Sequence, residues 1–182
     1  MKFFRIALFI LLFYPAAASA QVRVIWDWDS FDIVENDRIG SGYNAHTVRE
    51  HVGKDQAYLA NRAATKNLQC TSSFWTTADA NHWIRSTLKE EDRLRQSFGW
   101  PSIFDELMSY GEYSFGKIIV RAFDFDPSIR WIYGTYVRDY GTVYGANGTR
   151  IVLKRVPNNV GPGFIVETAF PEIDPAYSRI CG

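Results

Sequence analysis

The chain has 182 residues and carries 20 basic and 20 acidic side chains. This length suits one domain of ordinary size that buries a real core. A protein that binds RNA broadly through its phosphates is usually more basic than this chain, so a nucleic-acid function would need a local basic cleft.

The first 20 residues predict a signal peptide. Lys2 and Arg5 precede an unbroken apolar run at 6–14, and Ala-Ser-Ala at 18–20 fits signal cleavage. The run is too short to span a bilayer, which takes about 20 apolar residues. Cleavage leaves 18 basic against 20 acidic residues, a formal net charge of −2. We therefore expect a secreted or periplasmic monomer without stable membrane association.

Two cysteines, Cys70 and Cys181, lie in the exported part of the chain. An even pair in an oxidising compartment favours one disulfide, which would fasten the C-terminus to the middle of the chain. The alternative is two unpaired thiols.

Residues 21–42 predict an N-terminal arm or an edge strand, because the run at 22–28 alternates in polarity. The main domain is predicted over residues 43–182. Its helices are expected from Asn44 or Thr47 to His51, from 56 to 67 behind an Asp55 cap, and from a cap at Thr76 or Thr77.

From residue 115 onward the pattern is β. Four runs rich in β-branched and aromatic residues are separated by turn sequences, and they begin at residues 115, 129, 149 and 163. Helices first and strands second predict an α+β fold, with N-terminal helices packed on a C-terminal antiparallel sheet.

The common cofactor motifs are missing. The sequence contains no CxxC, HExxH or GxxxxGK[ST], so we predict neither a metal nor a nucleotide cofactor. His46 and His51 would lie about 140° apart on a regular helix, which is poor spacing for one metal ion. Acid–base chemistry remains.

His51 and Arg62 suit metal-independent cleavage of RNA by its own 2′-hydroxyl. A histidine can accept the hydroxyl proton near neutral pH, while an arginine stays charged and matches a phosphate. On one straight helix the two residues would lie about 16 Å apart. A break at Gly53 would let them approach.

The motif HTVREHVGKDQAYLANR at 46–62 resembles the opening segment of the bacterial ribonuclease A-like toxin domain. That domain is found at the C-termini of contact-dependent growth inhibition toxins. GFIVETAFP at 163–171 resembles its closing strand, and SSFWTTADANHWI at 72–84 and TRIVLKRV at 149–156 match landmarks between them. The resemblance covers roughly residues 43–171.

The resemblance implies roles for four residues. His51 matches the catalytic histidine of the family, Arg62 the phosphate-binding arginine, and Thr168 the threonine of the closing strand. Phe170 stands where the family has tyrosine, so it keeps a ring that can stack on a base but lacks the hydroxyl. Residues 168 and 170 share one face of a strand.

The remaining candidates are substrate-binding residues. Lys54, Lys154 and Arg155 are candidates to line an RNA path, with surface solvation as the alternative. His46 either contacts the substrate and protonates the leaving 5′-oxygen or caps a helix. The resemblance also implies a cognate immunity protein. The sequence thus predicts an exported endoribonuclease, with a non-catalytic binding module and a metal-dependent nuclease as alternatives.

Overall fold

A computed structural model describes residues 26–123, 134–173 and 181. The predicted signal peptide and residues 21–25 lie outside this part. Five α-helices are described, and polar side chains begin four of them: Asp32, Asp55, Thr76 and Ser102 each accept a hydrogen bond from the first turn. The helices are α1 (Ile33–Ile39), α2 (Thr47–His51), α3 (Gln56–Thr65), α4 (Thr77–Ser97) and α5 (Ile103–Ser109).

The described part of the chain contains six strands: β1 (Cys70–Ser72), β2 (Lys117–Phe123), β3 (Gly134–Val137), β4 (Thr142–Gly145), β5 (Gly148–Arg155) and β6 (Phe164–Glu172). They form two antiparallel sheets of three strands each, with the orders β1-β3-β4 and β2-β5-β6. Together with the helices they make the α+β fold that the sequence predicted.

The β2-β5-β6 sheet has one buried and one outer face. Burial alternates along β2 and β5, as expected for strands with one covered side. Helix α4 packs on the buried side of β2 and β5. The main core joins Ile84 and Leu88 of the helix to Val120, Ile151 and Leu153 of the strands. The outer face carries charged residues such as Arg121, Arg150 and Lys154 together with the exposed Ile119.

The arm before α1 packs on the core. Trp28 begins one turn of 3-10 helix, Trp28–Ser30, so the predicted run at 22–28 does not end as a strand. The Trp28 ring is 1% exposed, and its Nε1 donates to the Asp92 carboxylate at 2.6 Å. Burial of the ring and this hydrogen bond hold the segment inward. The edge-strand alternative remains only for residues 22–25, outside the described part.

Cys70 and Cys181 form a disulfide, as the sequence predicted, across a separation of 111 residues. In the chain-entropy account, closing a loop of this size stabilises the fold by about 4–5 kcal/mol. The bond fixes the C-terminus to β1, next to the segment that holds His51. No helix in the described ranges is long and apolar enough to cross a membrane.

Candidate active site

His51 ends helix α2 and is held in one orientation by β1. Its ring is buried, with 6% exposure, and Nδ1 lies 2.9 Å from the Ser72 carbonyl oxygen. A carbonyl oxygen only accepts hydrogen bonds, so Nδ1 carries the proton. The backbone locks the helix end, because the Phe74 N–H donates to the His51 carbonyl at 2.8 Å. The lone pair of His51 therefore resides on Nε2.

Arg62 reaches His51 because the chain reverses between α2 and α3. Gly53 has a φ of 66°, a left-handed conformation that favours glycine. The turn brings Arg62 Nη1 within 3.2 Å of His51 Nε2. A guanidinium only donates, so this contact requires the same neutral imidazole that the Ser72 contact defines. The expected approach of these residues across the Gly53 break is confirmed.

Glu50 anchors the arginine from the other side. Its Oε2 lies 3.5 Å from Arg62 Nε and accepts a hydrogen bond from the Tyr58 hydroxyl at 3.0 Å. Burial alone would raise the pKa of Glu50, but hydrogen bonds from Tyr58 and Arg49 and the charge of Arg62 hold it below its ordinary value. The ionised carboxylate fixes the guanidinium next to the imidazole.

Strand β6 supplies the opposite wall. The Phe170 ring stacks on the His51 ring with centroids 5.1 Å apart and planes at 29°. Arg150, its partner on β5, places its guanidinium carbon 5.8 Å from the Phe170 centroid. Thr168 lies on the same face of β6 as Phe170. Its hydroxyl is buried and finds no hydrogen-bond partner within the described part of the chain. A buried hydroxyl without a partner is unusual, which makes Thr168 a candidate for a substrate contact.

His46 lies at the mouth of the same site, its ring centroid 6.1 Å from that of His51. It occupies the N-cap position of α2, but its side chain makes no capping hydrogen bond. The Asp37 carboxylate accepts from the Val48 N–H at 2.7 Å instead. His46 Nδ1 lies 2.5 Å from the Asn44 carbonyl oxygen and so carries a proton. The helix-capping alternative for this side chain is therefore wrong.

The other basic candidates separate into different surroundings. Lys54 places its ammonium 5.2 Å from the Tyr58 ring centroid, whereas Lys154 lies on the outer face of the β2-β5-β6 sheet. Arg155 is 4% exposed and donates to the carbonyl oxygens of Val156 and Gly163. Its predicted place on an RNA path is wrong, because the alternation of β5 turns its side chain inward. Among the described residues, no three His, Cys, Asp or Glu side chains converge to hold a metal ion.

Burial controls the protonation of His51. Desolvation lowers the pKa of this imidazole from 6.5 to about 3, and the neighbouring Arg62 charge acts in the same direction. The Ser72 hydrogen bond acts in the opposite direction without reversing the shift. His51 is therefore neutral across the ordinary pH range, with Nε2 available as a base once Arg62 turns away.

This shift predicts an acid-labile fold. Below pH 6.5 the unfolded chain binds a proton on His51 that the folded chain does not, so stability is complete above that pH and falls towards pH 3. Relative to His51→Asn, we expect the wild type to lose about 2 kcal/mol more between pH 6.5 and 4.5. Urea unfolding at several pH values measures this difference. An identical pH dependence of the two proteins contradicts the burial argument, and a constant difference at pH 7.5 and 8.5 is the control.

Sequence reasoning missed the residues that hold the site together. Glu50 lies inside the opening motif, one residue before His51, but nothing in its spacing shows that it faces Arg62. Tyr58 lies eight residues further on, in the next helix, α3. Arg150 is opposite Phe170 only through the β5–β6 register, which a single sequence does not fix. The available signal was an acid directly after Arg49 in a segment with two histidines.

These features define an α+β protein with a neutral buried histidine, an arginine that donates to it, and a strand phenylalanine stacked on the histidine ring. Over residues 45–171 the sequence matches the family described as Bacterial CdiA-CT RNAse A domain. The chain belongs to this family, so the resemblance predicted from the motifs is confirmed.

Among solved structures, the chain is similar to one in the crystal structure of a CdiA-CT/CdiI complex from Y. kristensenii 33638. The two share 23% identity over 66% of this chain and 93% of that chain, with a TM-score of 0.49. No curated protein matches the sequence.

Proposed function

We propose that the protein is an exported, metal-independent endoribonuclease that cleaves single-stranded RNA through attack by the 2′-hydroxyl. The contact between His51 Nε2 and Arg62 Nη1, at 3.2 Å, carries this proposal. It joins a neutral base and a permanent cation, the two groups that 2′-hydroxyl attack on a phosphodiester needs. Membership of the ribonuclease A-like family supports the same reaction.

The free site is a resting arrangement, because Arg62 covers the lone pair of His51. An incoming phosphodiester anion competes for the guanidinium, which suits a phosphate better than an imidazole. Turning Arg62 onto the phosphate uncovers Nε2. It also places a negative charge beside the ring, which raises the His51 pKa towards the range of an effective general base.

The reaction then proceeds in one displacement. His51 Nε2 takes the proton from the 2′-hydroxyl, and the oxygen attacks the neighbouring phosphorus in line. Arg62 and the Thr168 hydroxyl hold the non-bridging oxygens, where negative charge accumulates. The bond from phosphorus to the 5′-oxygen breaks, leaving a 2′,3′-cyclic phosphate. Phe170 supports the His51 ring and offers its edge to a base.

His46 protonates the leaving 5′-oxygen in this proposal. Its Nδ1–H is directed to the Asn44 carbonyl, so the proton transferred is the one on Nε2 of the imidazolium. Its ring centroid lies 6.1 Å from that of His51, which is close enough for both imidazoles to contact one phosphodiester bound beside them. Lys54, whose ammonium lies over the Tyr58 ring, contacts a more distant phosphate of the RNA in this proposal.

A leaving-group comparison tests His46. His46→Ala should lower cleavage of a dinucleoside monophosphate by about 100-fold or more. Cleavage of a nucleoside 3′-(4-nitrophenyl phosphate) should fall less than about tenfold, because nitrophenolate departs without a proton. Steady-state kcat/KM measures both. Equal losses on the two substrates would remove His46 from the role of acid, and His51→Ala, which should slow both, is the comparison.

Incubation of the mature protein with single-stranded RNA in EDTA tests the function itself. We expect shortened RNA with cyclic-phosphate ends. Intact RNA at high protein concentration would favour the non-catalytic binding module, and cleavage that EDTA abolishes would favour a metal-dependent nuclease. Family membership also supports use as an antibacterial toxin, with a cognate immunity protein covering the cleft.

A further inference from the structure

Two aromatic rings, one exposed and one partly buried, flank the outer face of the β2-β5-β6 sheet. Phe115 is 43% exposed, and its ring lies 6.4 Å from that of Tyr43, with the planes tilted by 37°. Phe115 has a φ of 51°, a left-handed conformation that is unfavourable for a bulky residue. A strained backbone that keeps a large ring in water points to a ring used for binding.

Lysines stand beside the rings. Lys154 places its ammonium 5.3 Å from the Phe115 centroid and donates to the Tyr43 carbonyl at 3.2 Å. Lys117 pairs with Lys154 across β2 and β5. The Glu167 carboxylate lies 2.5 Å from Lys117 and 3.7 Å from Lys154. We call these two rings, the two lysines and Glu167 the aromatic-basic patch. Two ammonium groups share one carboxylate in it, so the patch is left with a net positive charge.

The patch is continuous with the catalytic site. Glu167 is the extra residue of a β-bulge between the pairs Val152–Thr168 and Leu153–Val166. Its carbonyl oxygen accepts the His46 N–H at 3.1 Å. One residue thus contacts the proposed acid through its backbone and both lysines through its side chain. The rings lie beyond the lysines, on the His46 side of the site.

We propose that Tyr43, Phe115 and Lys154 form a downstream subsite, which binds the nucleotide on the 3′ side of the scissile phosphate. The inference rests on the proposed function. If His46 protonates the leaving 5′-oxygen, the leaving nucleoside must lie on the same side of the site as His46. An aromatic ring receives the base by stacking, and a neighbouring cation receives the next phosphate. This arrangement is the local basic cleft that a chain of balanced charge needs in order to bind RNA.

The structural role of the rings differs between the two residues. Tyr43 packs partly on the small core cluster of Ala45, Val156 and Ile165, so it has a reason to exist without a ligand. Phe115 belongs to none of the core clusters formed by the described residues. Binding of a ligand therefore explains the presence of Phe115 better than that of Tyr43. Replacement of Phe115 should also disturb folding less.

Substrates with and without a downstream base test the subsite. For wild type we expect a higher kcat/KM on a dinucleoside monophosphate than on the matching nucleoside 3′-methyl phosphate. Phe115→Ala should lower the ratio of the two values about 5- to 100-fold, the usual loss of one stacking contact. Phe115→Trp should keep it. Phe98→Ala, at an aromatic residue that is 66% exposed at the end of α4, should leave it unchanged.

Binding of a single-stranded DNA oligonucleotide separates this inference from the proposed function. Such DNA lacks the 2′-hydroxyl, so anisotropy reports binding alone. A Kd raised about 5- to 100-fold in Phe115→Ala supports the subsite even if wild type cleaves no RNA. An unchanged Kd together with an unchanged substrate ratio overturns it. A variant that binds nucleotides normally but loses a protein inhibitor also overturns it, and identifies the patch as a protein interface.

Discussion

His51→Ala should lower kcat/KM for RNA cleavage by about 100- to 10,000-fold, the usual contribution of a positioned acid or base. The imidazole is fixed at both nitrogens, by the Ser72 carbonyl and by the Arg62 guanidinium. Alanine removes the only atom placed to accept the 2′-hydroxyl proton in the proposed reaction. Because burial keeps the pKa of His51 at about 3, the acid limb of wild-type kcat/KM should lie well below pH 5.

His82→Ala is the matched control. His82 lies on α4, with its ring 5.3 Å from that of Trp83, and it is exposed. This variant should cleave RNA like the wild type. A His51→Ala protein that is folded, as judged by its circular dichroism spectrum, and retains more than about a third of wild-type kcat/KM would contradict the assignment of the base.

Arg62→Ala should lower kcat/KM by about 100- to 1,000-fold, the typical loss when one donor to a developing oxyanion is removed. Arg62→Lys should recover little, because a single ammonium cannot span Glu50 and a phosphate together. The Arg62 charge lowers the pKa of His51. Its removal should therefore move the acid limb of the pH profile to higher pH, which a purely structural role would not do.

Arg93→Ala provides the control for Arg62. Arg93 forms an exposed pair with Glu90 on α4, with side-chain exposures of 64% and 49%. Its loss should leave both the rate and the pH profile unchanged. An Arg62→Ala protein with normal activity, or with reduced activity and an unmoved acid limb, would contradict direct action of Arg62 on the phosphate and on His51.

The order of elements was predictable because it depends on local signals. Caps at Asp55 and Thr76, the glycine after His51 and the alternating runs of β2, β5 and β6 each act within a few residues. Helix α1 was not predicted, since its short sequence lacks a clear apolar stripe. The short strand β4 was also not predicted, because four residues that include one tyrosine and one glycine give little pattern.

The residues at the centre of the site were predictable from the sequence, but their arrangement was predictable only in part. Motif spacing and one glycine indicated that His51 and Arg62 meet. The protonation of His51 could not be predicted, because it follows from burial under Phe170 and from a carbonyl 21 residues away. The Glu50 anchor and the Glu167 bulge depend on tertiary contacts and on strand register, which the sequence states only indirectly.

The end chemistry of a single cut tests the central claim most directly. Four DNA oligonucleotides, each containing one ribonucleotide with a different base, are incubated with the mature protein in EDTA. The products are identified from their masses by mass spectrometry. We predict cleavage only on the 3′ side of the ribonucleotide, in at least one of the four, giving a 2′,3′-cyclic phosphate and a 5′-hydroxyl. Cuts between deoxynucleotides, 5′-phosphate ends, or four intact oligonucleotides would contradict attack by the 2′-hydroxyl.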